Sequence, residues 1–495
     1  MVRLDPKTIL VMINALELKT KWKYKDVKSW FLLWLKFGSN PDYNEIELTL
    51  KINYRALSQH RTKYNLKNLS QDHIQIIDKY RRLLLQGLLL SINYFFPDDL
   101  PFKLQELYNL TNEIYKPISP QKFSYKHDKI KVCYMSSDIN ANPVHLFISS
   151  LLLYYDRSKF EVFVLNTFTP DEISRVFQNY LDTNWVDVSK SDDKEIIQKI
   201  KNAEVDVLFD LSIHSTKNRI DVILQRPAPK IVSYLGYPNT LGIYNANTHR
   251  IVDNISDPSS SKHFYTEKLV KMNRCFLCYS PFRDYIVPIK YRIYNMKINV
   301  LILNKFEKYR NEHFLKMLSK LCLKNNDLQI YFACEKVRNR VIIKNVVPKN
   351  QCNFLQRKQN MSDYYDVINM FDMALDSFPY SGTTCSCNQM IMGLVPITLY
   401  DTNLNHVSNV SASIILHTDE KLNERFVCKN LDDYENKAQI EINRIRAGKN
   451  GELEKFRLEE EKWRWGVSEK FIKSMDPTDF MKEFEEKIIE IHNDT

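Results

Sequence analysis

From Lys129 onward the chain alternates short apolar runs with helical stretches, and beyond about residue 280 the alternation starts afresh. This doubled pattern constrains the fold more than any other feature of the sequence. IKVCYMS (130–136), EVFVLNT (161–167), WVDVS (185–189), VDVLFDLS (205–212) and KIVSYLG (230–236) read as strands, with helical periodicity over 143–156, 170–182 and 191–203. INVLILNK (298–305), LQIYFACE (328–335), MALDS (373–377) and VPITLY (395–400) repeat the arrangement, with helices over 310–323, 362–371 and 386–393. Strands separated by helices pair in parallel, because the chain needs a crossover to return to the same end of the sheet. The prediction is an α/β architecture of two tandem Rossmann-like domains facing a cleft, 128–285 and 286–495. The second ends in charge-rich helices over 452–493, expected to pack back across the body.

Residues 1–127 contain no convincing strand run. Periodicity over 6–20, 25–36 and 70–92 predicts an all-helical N-terminal region, punctuated by Pro97, Pro101, Pro117 and Pro120. No stretch reaches the roughly 18 apolar residues that a membrane span needs, and the start does not read as a secretory leader. Nine cysteines, an odd count, then fit reduced thiols in a cytosol-like compartment, cytoplasm or nucleus. The formal charge of +10, from 70 basic and 60 acidic residues, comes without a Lys/Arg tract and argues against a nucleic-acid partner.

Glycine is scarce, 9 in 495 residues, so each one retained is informative. Four fall in two segments. FPYSGTTCSCNQMIMG (378–393) follows a strand, turns, and opens a helix. Free N–H groups at such a start, with hydroxyls from Ser381, Thr383 and Thr384, make a phosphate site; an ordinary capped turn has the same pattern. RPAPKIVSYLGYPNTLG (226–242) is dense in Gly and Pro, which sets an unusual backbone course but no chemistry. LNKFEK (303–308) places Lys305 and Lys308 at the end of the strand opening the second unit, where doubly wound sheets face their ligand. A lysine there can neutralise a diphosphate without a metal, though two lysines among 70 basic residues can equally be surface charges. Cys275, Cys278, Cys385 and Cys387 form two pairs more than 100 residues apart with poor zinc spacing, so buried thiols and no metal are expected.

Together and in this order, RPAPKIVSYLGYPNTLG, CFLCYSPF (275–282), LNKFEK and DSFPYSGTTCSCNQMIMGLVP (376–396) resemble the O-GlcNAc transferase/SPINDLY family, glycosyltransferase family 41, and its SPINDLY branch more closely. The resemblance spans about 129–420. It implies a GT-B fold, an inverting metal-independent transfer from a nucleotide sugar to protein acceptors, and no cofactor. An N-terminal tetratricopeptide array would lie where 1–127 does, and the insertion of animal enzymes is replaced by the short connector 283–297. By resemblance, Lys308 corresponds to the essential lysine at the donor diphosphate, and Gly382, Thr383 and Thr384 to the phosphate-binding helix start. Asn388 stands where the family has a ribose-binding carboxylate, Tyr364 where a histidine stacks on the base, and His214 matches a histidine of the SPINDLY branch.

The departure lies in SSDINANPVH (136–145), where Asn142 occupies the place of the family's acceptor-side histidine. An amide takes no proton at neutral pH, so either His145 substitutes as the base, or this chain catalyses less well, or a histidine there is dispensable. Three readings follow: a protein O-glycosyltransferase using UDP-GlcNAc or GDP-fucose, with SPINDLY character leaning to the latter; a transferase to a glycan or asparagine amide; or a binding module without turnover.

Overall fold

Both predicted sheets form, and both are wholly parallel. The computed structural model describes Leu89, Ile92–Tyr94, 111–112, 115 and 122–494, apart from 216, 244–247, 282–286, 292–295, 359 and 404. The helical reading of 1–127 therefore lies almost entirely outside the described residues.

The first sheet comprises β1 (Ile130–Ser136), β2 (Phe160–Asn166), β3 (Trp185–Asp187), β4 (Val207–Asp210), β5 (Lys230–Ser233), β6 (Thr248–Asp253) and β7 (Lys268–Met272), in the order β3-β2-β1-β4-β5-β6-β7. The second comprises β8 (Ile298–Ile302), β9 (Leu328–Phe332), β10 (Cys352–Phe354), β11 (Met373–Leu375), β12 (Pro396–Leu399) and β13 (Val427–Cys428), in the order β10-β9-β8-β11-β12-β13. Helices cover the faces, so central strands such as β4, β8 and β12 are buried along their whole length.

In each sheet the strand order reverses beside the first strand, between β1 and β4 and between β8 and β11. Ligands of doubly wound sheets bind outside the carboxyl ends of the strands at such a reversal. The four segments leaving these ends carry Asn142 and His145, His214, Lys305 and Lys308, and Ser381–Thr384. Topology thus gathers nine of the candidate residues into these four segments at two switch points.

Buried polar groups fasten the lobes together. Asp253, ending β6, accepts from Ser413 Oγ at 2.6 Å, and Asp257 lies 2.6 Å from His406 Nδ1. Both partners sit on the helix His406–Thr418 of the second lobe. The last helix, Pro477–Asn493, follows the second sheet in the chain and packs back across the body onto the first lobe, as the sequence reading expects. Glu485 accepts from Asp156 N at 2.7 Å, Phe484 packs 5.8 Å from Phe209, and Asp494 pairs with Lys268 at 2.6 Å. The apolar side of this helix fits the first sheet's helical layer, which explains the return.

Gly393 joins the helix Thr384–Ile391 to β12 at φ +67°, and a Cβ there would lie 2.2 Å from Arg464 O. The obstacle is backbone of the helix Leu453–Ser474 and cannot swing aside. Gly393→Ala should cost about 3 kcal/mol, combining left-handed strain with the clash. Urea unfolding checks this, and an unchanged midpoint would contradict it.

Candidate functional site

The turn between β11 and the helix Thr384–Ile391 is built on Asp376, the first residue past β11. Its buried carboxylate accepts from Ser377 N at 2.9 Å, Gly382 N at 2.8 Å, Asn304 Nδ2 at 2.7 Å and Thr398 Oγ1 at 2.8 Å. These bonds fold 377–382 back over the strand end. Gly382 must be glycine here, since a Cβ would meet Ser386 Oγ at 2.2 Å and Asp376 Oδ1 at 3.1 Å. Thr383 precedes the helix Thr384–Ile391 and its side chain does not cap it. The first-turn N–H groups and the positive end of the helix dipole are thus presented at the switch point. Ser381 is placed differently from expectation: its hydroxyl donates to Val407 O at 2.8 Å and accepts from Ser411 N at 3.3 Å. It anchors the turn from below instead of offering a donor to phosphate.

Lys308 reaches the same turn from the other side of the switch point. It sits on the one-turn helix Phe306–Tyr309, whose Phe306 and Tyr309 are buried and fix its direction. The ammonium donates to Ser381 O at 2.7 Å and lies 3.8 Å from the centroid of the Tyr380 ring. Desolvation pulls its pKa down to about 8, with Lys305 acting the same way and the Asp376 carboxylate and Cys385 thiol opposing. Lys305 itself is exposed at the rim.

A charged amine below pH 8 that becomes neutral above it gives a signed expectation. Affinity for a nucleoside diphosphate should hold from pH 7 to about 8, then fall about tenfold per unit, following loss of the ammonium. Calorimetric titration from pH 7 to 9.5 tests this, and a flat profile would remove Lys308 from the binding step.

Asn388, one helical turn beyond Thr384, is held by three tyrosines. Its Oδ1 accepts from Tyr279 and Tyr365, and its Nδ2 donates to Tyr364 OH at 3.0 Å. Tyr364 and Asn388 are therefore neighbours, as a base-and-ribose subsite requires, but the amide is already engaged. Tyr279, in the first-lobe segment that follows β7, makes this a junction between lobes.

On the first lobe, Asn142 Nδ2 donates to Asp138 Oδ1 at 3.2 Å, and its Oδ1 accepts from Val144 N at 3.1 Å, shaping the turn after β1. His145 Nδ1 lies 2.6 Å from Asn142 O, which assigns the proton to Nδ1 and the lone pair to Nε2. Burial lowers its pKa, so the ring is held in its neutral, proton-accepting form. His214 Nε2 lies 2.7 Å from Leu241 O, its buried Nδ1 has no hydrogen-bond partner among the described residues, and desolvation lowers its pKa to about 4. A base that weak positions groups more readily than it removes protons.

Cys275, Cys278 and Cys387 approach one another at the lobe junction, all with thiol pKa values raised by burial. Among the described residues no three His, Cys, Asp or Glu side chains are placed to hold a metal ion. Nor is any described helix long and apolar enough to cross a membrane. Sequence reasoning passed over Asp376, Tyr380 and Tyr279. The signal for Asp376 was an acid closing the otherwise apolar run MALD; the two tyrosines gave none.

The comparisons with known proteins agree with these motifs. Residues 104–284 match the model of Glycosyl transferase family 41. A protein from Arabidopsis thaliana named "Probable UDP-N-acetylglucosamine--peptide N-acetylglucosaminyltransferase SPINDLY" is 27% identical over 371 residues, covering 70% of this chain and 39% of that protein. A protein of the same name from Eustoma exaltatum subsp. russellianum is 29% identical over 301 residues, covering 58% and 32%. The chain thus spans under two fifths of the length of these curated relatives. A solved Thermobaculum terrenum O-GlcNAc transferase mutant superposes with TM-score 0.70 at 20% identity, covering 90% of this chain and 81% of that one. The shared fold is the GT-B arrangement, and the resemblance read from the motifs is borne out.

Proposed function

From kinship with glycosyl transferase family 41 as the premise, we propose that this chain moves a sugar from a nucleotide sugar to Ser/Thr hydroxyls of proteins, with inversion and without a metal ion. The observation that carries the reading is the Lys308 ammonium held 2.7 Å from Ser381 O, beside the uncapped start of the helix Thr384–Ile391. An amine and a set of amides converge where the second sheet reverses, between β8 and β11, and together they suit a diphosphate.

In the transfer, the acceptor oxygen attacks the anomeric carbon from the face opposite the leaving group. The bond from that carbon to the phosphate oxygen breaks, and its electron pair stays on the nucleoside diphosphate. Lys308 and the amides of the helix start neutralise that growing charge while already in place, so no reorganisation is needed at the moment of reaction. The acceptor proton goes to a base, and the neutral His145, with its lone pair on Nε2, is the group we assign to it. His214 and Asn142 shape the acceptor side. Lys305 contributes from the rim, and Thr383 and Thr384 lie at the phosphate end.

The names of the curated relatives support UDP-N-acetylglucosamine as donor, and the SPINDLY-like motifs keep GDP-fucose as the second candidate. Protein acceptors are the proposed partners, with neither nucleic acid nor membrane involved. A second reading, a nucleotide-sugar binder without turnover, draws support from Asn388, whose amide the tyrosines occupy, and from Asn142 in place of a base.

Incubation with each radiolabelled donor and a Ser/Thr-rich peptide pool separates these. Label entering peptide from one donor supports transfer and names the sugar. A raised melting temperature without label supports the binder. Neither label nor thermal shift would refute both.

A further inference from the structure

Leu89, Asn93 and Tyr94 of the N-terminal region lie against both lobes. Tyr237 OH donates to Leu89 O at 2.7 Å, Asn239 Nδ2 donates to Asn93 Oδ1 at 2.9 Å, and Asn93 Nδ2 closes the segment on Leu89 O at 3.0 Å. Further along, Asn112 Nδ2 donates to Gly242 O at 3.0 Å. The Gly/Pro-dense stretch 226–242, which sequence could not assign to any chemistry, is therefore a seat for the N-terminal region. Leu89, Asn93 and Tyr237 are all at most 2% exposed, so the seat is closely packed.

From that seat Tyr94 crosses to the second lobe. Its ring centroid lies 5.1 Å from that of Tyr380, at 51°. Tyr380 is the residue whose ring carries the Lys308 ammonium at 3.8 Å. Burial and the neighbouring Glu307 carboxylate push the Tyr94 phenol up to about 12, so it stays neutral beside the cation. His214 meets the seat itself, edge-on to Tyr237 at 5.2 Å. A continuous contact chain runs from the first lobe through the N-terminal segment to the diphosphate lysine.

We propose that Tyr94 is a positioning residue: docked on the Tyr237–Gly242 seat, it holds Tyr380 against the Lys308 ammonium and so completes the site for a nucleoside diphosphate. The inference rests on the reading of Lys308 as the diphosphate ligand. An aromatic face offered to a desolvated cation is effective only if the ring is kept in place, and a pair of this kind is worth about tenfold in an equilibrium. Without Tyr94, Tyr380 turns away and water reaches the amine. The charged groups facing Lys308 are then Asp376 and Lys305, with the Cys385 thiol alongside.

The test is calorimetric titration of UDP and of GDP into the full chain, at pH 7 and across pH 8–9.5, for the unaltered protein, Tyr94→Phe, Tyr94→Ala, Lys308→Ala and the double variant. Tyr94→Ala should bind about tenfold more weakly at pH 7, and its alkaline fall-off should move upward from about 8 as the amine regains water. Tyr94→Phe should restore both properties. The double variant should bind no more weakly than Lys308→Ala alone, because Tyr94 acts through that amine. Tyr94→Leu, which keeps volume but not the ring, replaces Tyr94→Ala should the latter not fold. Binding by Tyr94→Ala equal to or tighter than the unaltered chain, an unmoved fall-off, or additive losses in the double variant would overturn the proposal. Binding of neither UDP nor GDP by the unaltered protein would overturn the functional reading itself, and this inference with it.

Discussion

Lys308→Ala should lower sugar transfer about a thousandfold while leaving the protein folded. Removing one preorganised charge or donor from a developing anion costs about 10²–10³ in rate, and under the proposed function the same amine also binds the ground-state diphosphate. Stability should change little. Burial pulls the ammonium's pKa down to about 8, so deleting it also removes a desolvated cation, and among the described residues its hydrogen bond to Ser381 O and its contact with the Tyr380 ring are lost. Lys308→Arg should not rescue, because a planar guanidinium cannot take the place of a compact ammonium on the Tyr380 ring without displacing the turn. Initial rates with the accepted donor, alongside thermal melts, give both numbers. Activity within tenfold of the unaltered protein would show that the leaving group is stabilised elsewhere.

Asp376→Ala is the second large effect, and its character is opposite. This buried carboxylate accepts from Ser377 N, Gly382 N, Asn304 Nδ2 and Thr398 Oγ1, four donors that would lose their acceptor together. Each unsatisfied buried donor costs about 1–3 kcal/mol, with partial relaxation reducing the sum, so a loss of about 4 kcal/mol is expected. Nucleotide binding should vanish too, because the turn presenting Gly382 to Thr384 is shaped by those bonds. Asp376→Asn should lose much less, since its amide oxygen can keep the three N–H donors that all meet Oδ1, and its Nδ2 faces only the Thr398 hydroxyl, which can turn to accept. Urea unfolding and nucleotide titration report the two losses separately. A stable variant that still binds would mean the turn holds its shape through Ser381 and the helix His406–Thr418 alone.

The apolar strands were legible because burial on both faces writes itself as a run of Val, Ile, Leu and Phe. Ile130–Ser136 matches its reading residue for residue. Thr248–Asp253 escaped notice because THRIVD is buried yet largely polar: Arg250 bonds Tyr237 O at 3.1 Å, and Asp253 serves the lobe junction. Val427–Cys428 was too short to register at all. Within the site, Lys308 and Gly382 were visible because a strand end and a strand–helix turn are local patterns. The tyrosine cage around Asn388 was not, since Tyr279 and Asn388 stand 109 residues apart and meet only once the lobes pack. The pairing of Asp257 with His406 is hidden for the same reason.

The homecoming of the final helix makes the chain a loop in space. It leaves the first sheet, builds the second, and then lays Phe480, Phe484 and Ile488 back onto its starting point. Severing the gene between the sheets would therefore not yield two autonomous halves. The front piece would bare the greasy trench those side chains fill, and the rear piece would trail an orphaned amphipathic rod. Any dissection of this molecule has to carry the trailing helix with the opening lobe, as a graft or as a peptide added in trans.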